Sequence, residues 1–244
     1  TYVTAEQSGV MSAPAAVSVV SPIFADGFGA GYFDPEKWND FSNTGTIAAG
    51  GGALNMSGVV NQYSELASTH YFTIEPGEAL TIEVDLDLAN SAGEYYVQGF
   101  GISDNTLAGI AVGLAGGSAV GYSMIYYASP LRGNGDAIGS YARAGRFRIE
   151  YRSGAATLYR NGAPLASFPA DLDGRRLSFF LFATAGWGDS VYDTRFDNFT
   201  TNQEFPGGTY IKIRNNTNPF APDGGGTLSY GDSYTITLVT EPYR

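Results

Sequence analysis

Apolar and polar residues alternate with a period of two through the middle of the chain. Between residues 79 and 90, Leu80, Ile82, Val84, Leu86 and Leu88 fall on one face of an extended strand. Thr81, Glu83, Asp85 and Asp87 fall on the other. Phe147, Ile149 and Tyr151 alternate in the same way with Arg146, Arg148, Glu150 and Arg152. Asn161-Gly162 then suits a two-residue hairpin turn, because both positions tolerate positive φ. Residues 175–186 are apolar on both faces, which predicts a central strand. Gly116-Gly117 divides the apolar stretch 107–129 into two strands rather than one helix. Residues 129–145 read as a long loop without a strand of its own. No window keeps a 3.6-residue apolar period over four turns, so helices should be few and short.

Composition agrees with an all-β chain. Of 244 residues 14% are aromatic and 15% charged, and glycine is abundant. The net charge of −11 disfavours a nucleic-acid partner. No apolar run is long enough to span a bilayer. The chain has no cysteine, which rules out disulfides and thiol chemistry. A start at Thr1 rather than Met is what a removed signal peptide, an excised domain or a removed initiator Met leaves.

Two segments carry a resemblance. Residues 24–40 place Phe24, Asp26 and Phe28 ahead of Trp38. Residues 146–200 run from an alternating strand through the Asn-Gly turn and an apolar strand to a Trp-bearing loop and a strand ending Phe196-Asp197-Asn198-Phe199. That order resembles the concanavalin-A-like jelly rolls, the group holding legume lectins, laminin-G-like domains, pentraxins and many glycan-processing enzymes. The resemblance implies a β-sandwich over residues 23–203. Outside it lie an N-terminal β arm, 1–22, and a C-terminal β-extension, 204–244. The arm reads either as a first strand of the sandwich or as a segment that adds a strand to a neighbouring subunit.

Three kinds of site come with the resemblance. Glu83, Asp85 and Asp87 resemble the E-x-D-x-E strand of laminarinase and lichenase hydrolases, implying nucleophile, tuner and acid in that order. Asp stands where the family has its last Glu. The plain alternative is a solvated strand face, since positions i and i+4 lie about 13 Å apart along a strand. Asp26 and Asp197 match the places where many such domains share a structural calcium ion between first and last strands. Asp197 with Asn198 equally suits a turn cap. Trp187, with Asp189 and Tyr192 beside it, is the expected sugar platform, since rings stack on sugars while polar neighbours orient hydroxyls. Tyr95, Tyr96, Tyr122, Tyr126 and Tyr127 are further candidates for a sheet face.

Weaker signals complete the set. His70 stands alone, without a G-x-S-x-G elbow to suggest a triad. Asn55, Asn198 and Asn215 each open an N-x-S/T triplet. The leading expectation is a non-catalytic structural or adhesion module at an extracellular, cell or virion surface. It would self-assemble into a homo-oligomer by β-strand addition through its ends. The alternatives are a lectin-like carbohydrate-binding module and a laminarinase-like β-glucan hydrolase.

Overall fold

A computed structural model describes the chain. Side chains are described for residues 24–203 apart from 30, 105–107, 119–136 and 139–141. Towards the two ends only strand backbones are described. Two compact units result, one of residues 23–203 and one of residues 1–22 with 204–244.

In the terminal unit, β1 (Tyr2–Val3), β2 (Glu6–Gln7), β3 (Val10–Met11) and β4 (Ala15–Ala16) are short. β1 pairs with β4 and β2 with β3, so the described strands of 1–22 pair with one another. The C-terminal strands, introduced below as β21 and β22, also pair with each other.

The central unit begins with β5 (Ile23–Asp26), β6 (Trp38–Asp40), β7 (Thr46–Gly50), β8 (Ala53–Val59), β9 (Tyr63–Ser68) and β10 (Phe72–Thr73). It continues with β11 (Ala79–Asp87), β12 (Tyr95–Ser103), β13 (Gly109–Gly116), β14 (Met124–Ala128) and β15 (Asp136–Tyr141). It closes with β16 (Ala144–Arg152), β17 (Ala155–Arg160), β18 (Ala163–Pro169), β19 (Arg176–Trp187) and β20 (Val191–Glu204). β21 is Thr209–Asn215 and β22 is Tyr234–Thr240. β15 corrects the expected strandless loop: residues 136–141 pair with β14 at the sheet edge.

Two antiparallel sheets form the sandwich. The first runs β18-β17-β16-β11-β20-β8-β7, with β5 also on β20. The second runs β15-β14-β13-β12-β19-β9-β6, with β10 also on β19. The alternation of 79–90 does what its period requires: Leu80, Ile82, Val84 and Leu86 are buried, and the acidic positions between them are half-exposed. The first sheet folds back through two tight hairpins. Ser153-Gly154 and Asn161-Gly162 both have positive φ at both positions.

The core where the sheets meet at their first strands is aromatic. Trp38, 1% exposed, packs edge-on against Phe24 and Phe199, with ring centroids 5.2 Å away in each case. Phe196 and Phe199 both reach the core although they are three residues apart. A bulge makes that possible. Glu83 faces Thr200 and Asp85 faces Asp197, so β20 carries one extra residue, and Asn198 there has φ of 51°.

Candidate functional site

The outer face of the first sheet carries the acidic row of β11. Each residue of the row has a partner. Arg146, opposite Asp85 on β16, turns its fork onto Glu83: Nε lies 2.8 Å from one carboxylate oxygen and Nη2 3.0 Å from the other. Its Nη1 is 3.5 Å from Asp85. The bulge residue Asn198 donates its Nδ2 to the other Asp85 oxygen at 2.7 Å. Asp87 accepts the Ala89 amide at 2.8 Å and so ends the strand. The hydrogen bond from Arg146 holds the Glu83 carboxyl below the ordinary carboxylate range.

That geometry bears on hydrolysis. The register of β11 with β16 is unbroken from Ala79 to Asp87, so no bulge shortens β11. Glu83 and Asp87 therefore lie about 13 Å apart at the backbone, on the same face of the strand. Glu83 is a clamped anion and Asp87 a local cap.

The first-strand end is closed without a metal cage among the described residues. Asp26 accepts the Phe28 amide on one oxygen at 2.8 Å and the Trp38 indole N–H on the other at 3.0 Å. Lys37 donates its Nζ to the Ala25 carbonyl at 2.8 Å. Asp197 accepts the Asn198 amide at 2.7 Å, as a turn cap does. No group of three or more His, Cys, Asp or Glu is gathered among the described residues. Both Asp26 oxygens are thus engaged by protein donors.

The three residues expected at the sugar platform differ in exposure. Trp187 is 55% exposed. Tyr192 is not available. It is 1% exposed, on the core face of β20, with its hydroxyl 3.1 Å from that of Ser64 across the sandwich. The loop expected around it is strand, and its phase, shared with Thr194 and Phe196, turns it inward. Asp189 remains exposed on the turn between Trp187 and β20.

Sequence reasoning paired Trp187 with the wrong tyrosine. Its neighbour is Tyr95, which faces it in the register of β12 and β19 with centroids 4.5 Å apart. A one-residue irregularity makes Gly186 the extra residue, so Trp187 comes onto the outer face with Tyr95. A Cβ on Gly186 would lie 2.6 Å from the Tyr95 ring, so that ring rests on the glycine. Burial raises the Tyr95 hydroxyl above its ordinary value. Ser190 locks the pair: its Oγ accepts the Tyr95 amide at 2.8 Å and donates to the Trp187 carbonyl at 2.5 Å. The signal was the glycine flanking Trp187 on either side, read as a loop rather than as room for a ring. Tyr96 points into the core and lies under Arg143, which donates to its hydroxyl at 2.8 Å. Side chains of Tyr122, Tyr126 and Tyr127 lie outside the described residues.

The remaining candidates are structural in setting. His70 Nδ1 lies 2.8 Å from the Thr69 hydroxyl. Asn55 sits on β8 opposite Arg195, and Asn198 forms the bulge. The side chain of Asn215 lies outside the described residues.

No protein-family model and no curated protein matches the sequence. Solved structures do match in fold. An immunostimulatory antigen and pseudo beta-1,3-glucanase of Mycobacterium tuberculosis aligns with 75% of this chain and 98% of its own, at TM-score 0.55 and 12% identity. A beta-1,3-1,4-glucanase (lichenase) from a mouse hindgut metagenome aligns with 74% and 98%, at 0.53 and 12%. A sialidase aligns with 76% of this chain at 0.53 and 13%, and this chain spans 19% of that one. Identities this low speak for the fold alone.

Proposed function

We propose that this concanavalin-A-like jelly roll is a non-catalytic carbohydrate-binding module that grips a glycan at Trp187. One observation carries the reading: a tryptophan more than half exposed, braced from below by Tyr95 and by a buried serine clamp. A solvent-facing indole held this firmly loses little side-chain freedom on stacking with a sugar. Asp189 on the adjoining turn supplies an acceptor for sugar hydroxyls. The similar folds include a lichenase and a pseudo-glucanase, which supports a glycan as the ligand class. Both Glu83 oxygens are taken up by the Arg146 fork and Asp87 caps the strand end through the Ala89 amide, which supports a non-catalytic reading. The reading places the protein at an extracellular or virion surface, where it meets polysaccharide.

Tryptophan fluorescence tests it. Trp38 is buried and Trp187 exposed, so acrylamide quenching reports mainly Trp187. A mixed-linkage β-glucan trisaccharide should protect Trp187 from quenching, and Trp187→Ala should weaken binding at least tenfold. No protection by any member of a neutral oligosaccharide panel would defeat the proposal. Light scattering on the same samples separates it from the self-assembly expectation, which requires a stable oligomer without glycan.

A further inference from the structure

The aromatic character of the Trp187 site does not stop at Trp187. The register of the second sheet allows its outer face to be read row by row. Leu181, Ala183 and Ala185 of β19 point into the core, so Phe180, Phe182 and Thr184 point out. Thr184 faces Tyr63 on β9, and Phe182 faces Glu65. Phe41, just past β6, donates its amide to the Glu65 carbonyl and joins the same row. Tyr63 is 39% exposed and Phe41 54%.

Rings on this face reach over glycines. A Cβ on Gly99 would fall 2.6 Å from the Phe182 ring, and one on Gly101 would fall 2.8 Å from the Phe180 ring. Gly186 under Tyr95 repeats the arrangement. Glycine in a strand costs stability and packs nothing, so its use beneath three rings has a consequence for the surface. Phe180 and Phe182 lie 5.9 Å apart between centroids, tilted 39° to each other, and both stay part-exposed.

We propose that the β6-β9-β19 side of the second sheet's outer face is a platform for a neutral, unbranched polysaccharide, with Trp187, Phe182, Tyr63 and Phe41 each stacking on a different part of the chain. From Phe41 to Trp187 is two strand spacings sideways and four residues along, about 16 Å, which a chain of several sugar rings covers. Charge selects the occupant. Between the Ala67 row and Trp187, Glu65 is the one charged outward side chain among the described residues of β9, β12, β13 and β19, and burial raises its carboxyl. Within that stretch the described residues offer no cation to a sulfated or uronic-acid glycan. A second copy would bring another −11 of net charge against an acidic partner. A neutral sugar presents apolar C–H faces to the rings and hydroxyls to Glu65.

The inference rests on the glycan-binding reading, and the experiment separates the two. The full chain is titrated with soluble mixed-linkage β-glucan polymer and with its trisaccharide. Trp187→Ala should weaken both. Phe41→Ala and Tyr63→Ala, both at exposed positions, should weaken polymer binding five- to tenfold each and trisaccharide binding less than twofold. Unchanged polymer binding in the latter two, alongside loss in Trp187→Ala, overturns the platform and leaves the function standing. Absence of binding by the wild-type chain removes both. A wild-type dimer in sedimentation that Phe41→Ala dissociates assigns the face to a second copy and overturns the proposal.

Discussion

Substituting Asp26 tests what holds the first strand to the core. Its carboxylate accepts two donors, the Phe28 amide and the Trp38 indole N–H. Both belong to residues about 1% exposed. Asp26→Ala leaves the two N–H groups without an acceptor, at about 1–3 kcal/mol for each buried orphan. Asp26 itself is half-exposed, so water reaches part of the gap and the lower half of that range applies. The expected loss is about 2–4 kcal/mol. For a unit of this size each kcal/mol moves Tm by about 2–4 °C, so the melt should fall by about 8 °C. Asp26→Asn keeps one acceptor and should fall about half as far. Scanning calorimetry with and without EDTA reads both effects. The wild-type melt should be the same in either buffer, because both Asp26 oxygens already accept protein donors. An Asp26→Ala melt at the wild-type temperature refutes the reasoning. So does a fall of the wild-type melt in EDTA as large as the substitution produces, which would place calcium at this carboxylate.

Other outcomes follow from the same contacts. Arg146→Gln should cost about 0.5–1 kcal/mol at pH 7, the range for a pair this exposed. Because Arg146 lowers the folded-state value of Glu83, that stabilisation is present above the unfolded carboxyl pKa of about 4.3 and is lost as pH falls through the lower folded one. The gap between wild type and variant in urea melts should therefore close below about pH 4, and a gap unchanged at pH 3 contradicts the pairing. Gly99→Ala should destabilise by about 1–3 kcal/mol at constant m-value, since its Cβ would meet the Val112 carbonyl at 2.8 Å as well as the Phe182 ring. A neutral result would mean that the ring is not pinned. Incubation with mixed-linkage β-glucan should release no reducing ends, and Arg146→Gln should not create activity; measurable release in either chain would reinstate Glu83 and Asp87 as a catalytic pair.

Much of this molecule was legible in the order of its residues. Period-two alternation marks β11 and β16 because a strand sends successive side chains to opposite faces, which is a local rule. The Asn161-Gly162 turn is local for the same reason. Ser153-Gly154 makes an equal turn, but serine tolerates positive φ less readily than asparagine, so its signal is fainter. The fate of Tyr192 was not legible, because a single tyrosine near a tryptophan reads as loop or as strand until the phase of β20 is known. The partners of Trp187 were hidden too, since one extra residue at Gly186 decides which face it shares. Composition and alternation determined an all-β chain, its strands and the polarity of each strand face. Tertiary structure alone decided which faces meet and therefore which groups touch. Arg146 reaches Glu83 across 63 residues, and Trp187 finds Tyr95 in the neighbouring strand. Alternation tells each strand its two sides, while the pairing register, set by bulges and by the buried aromatic core, determines its neighbours.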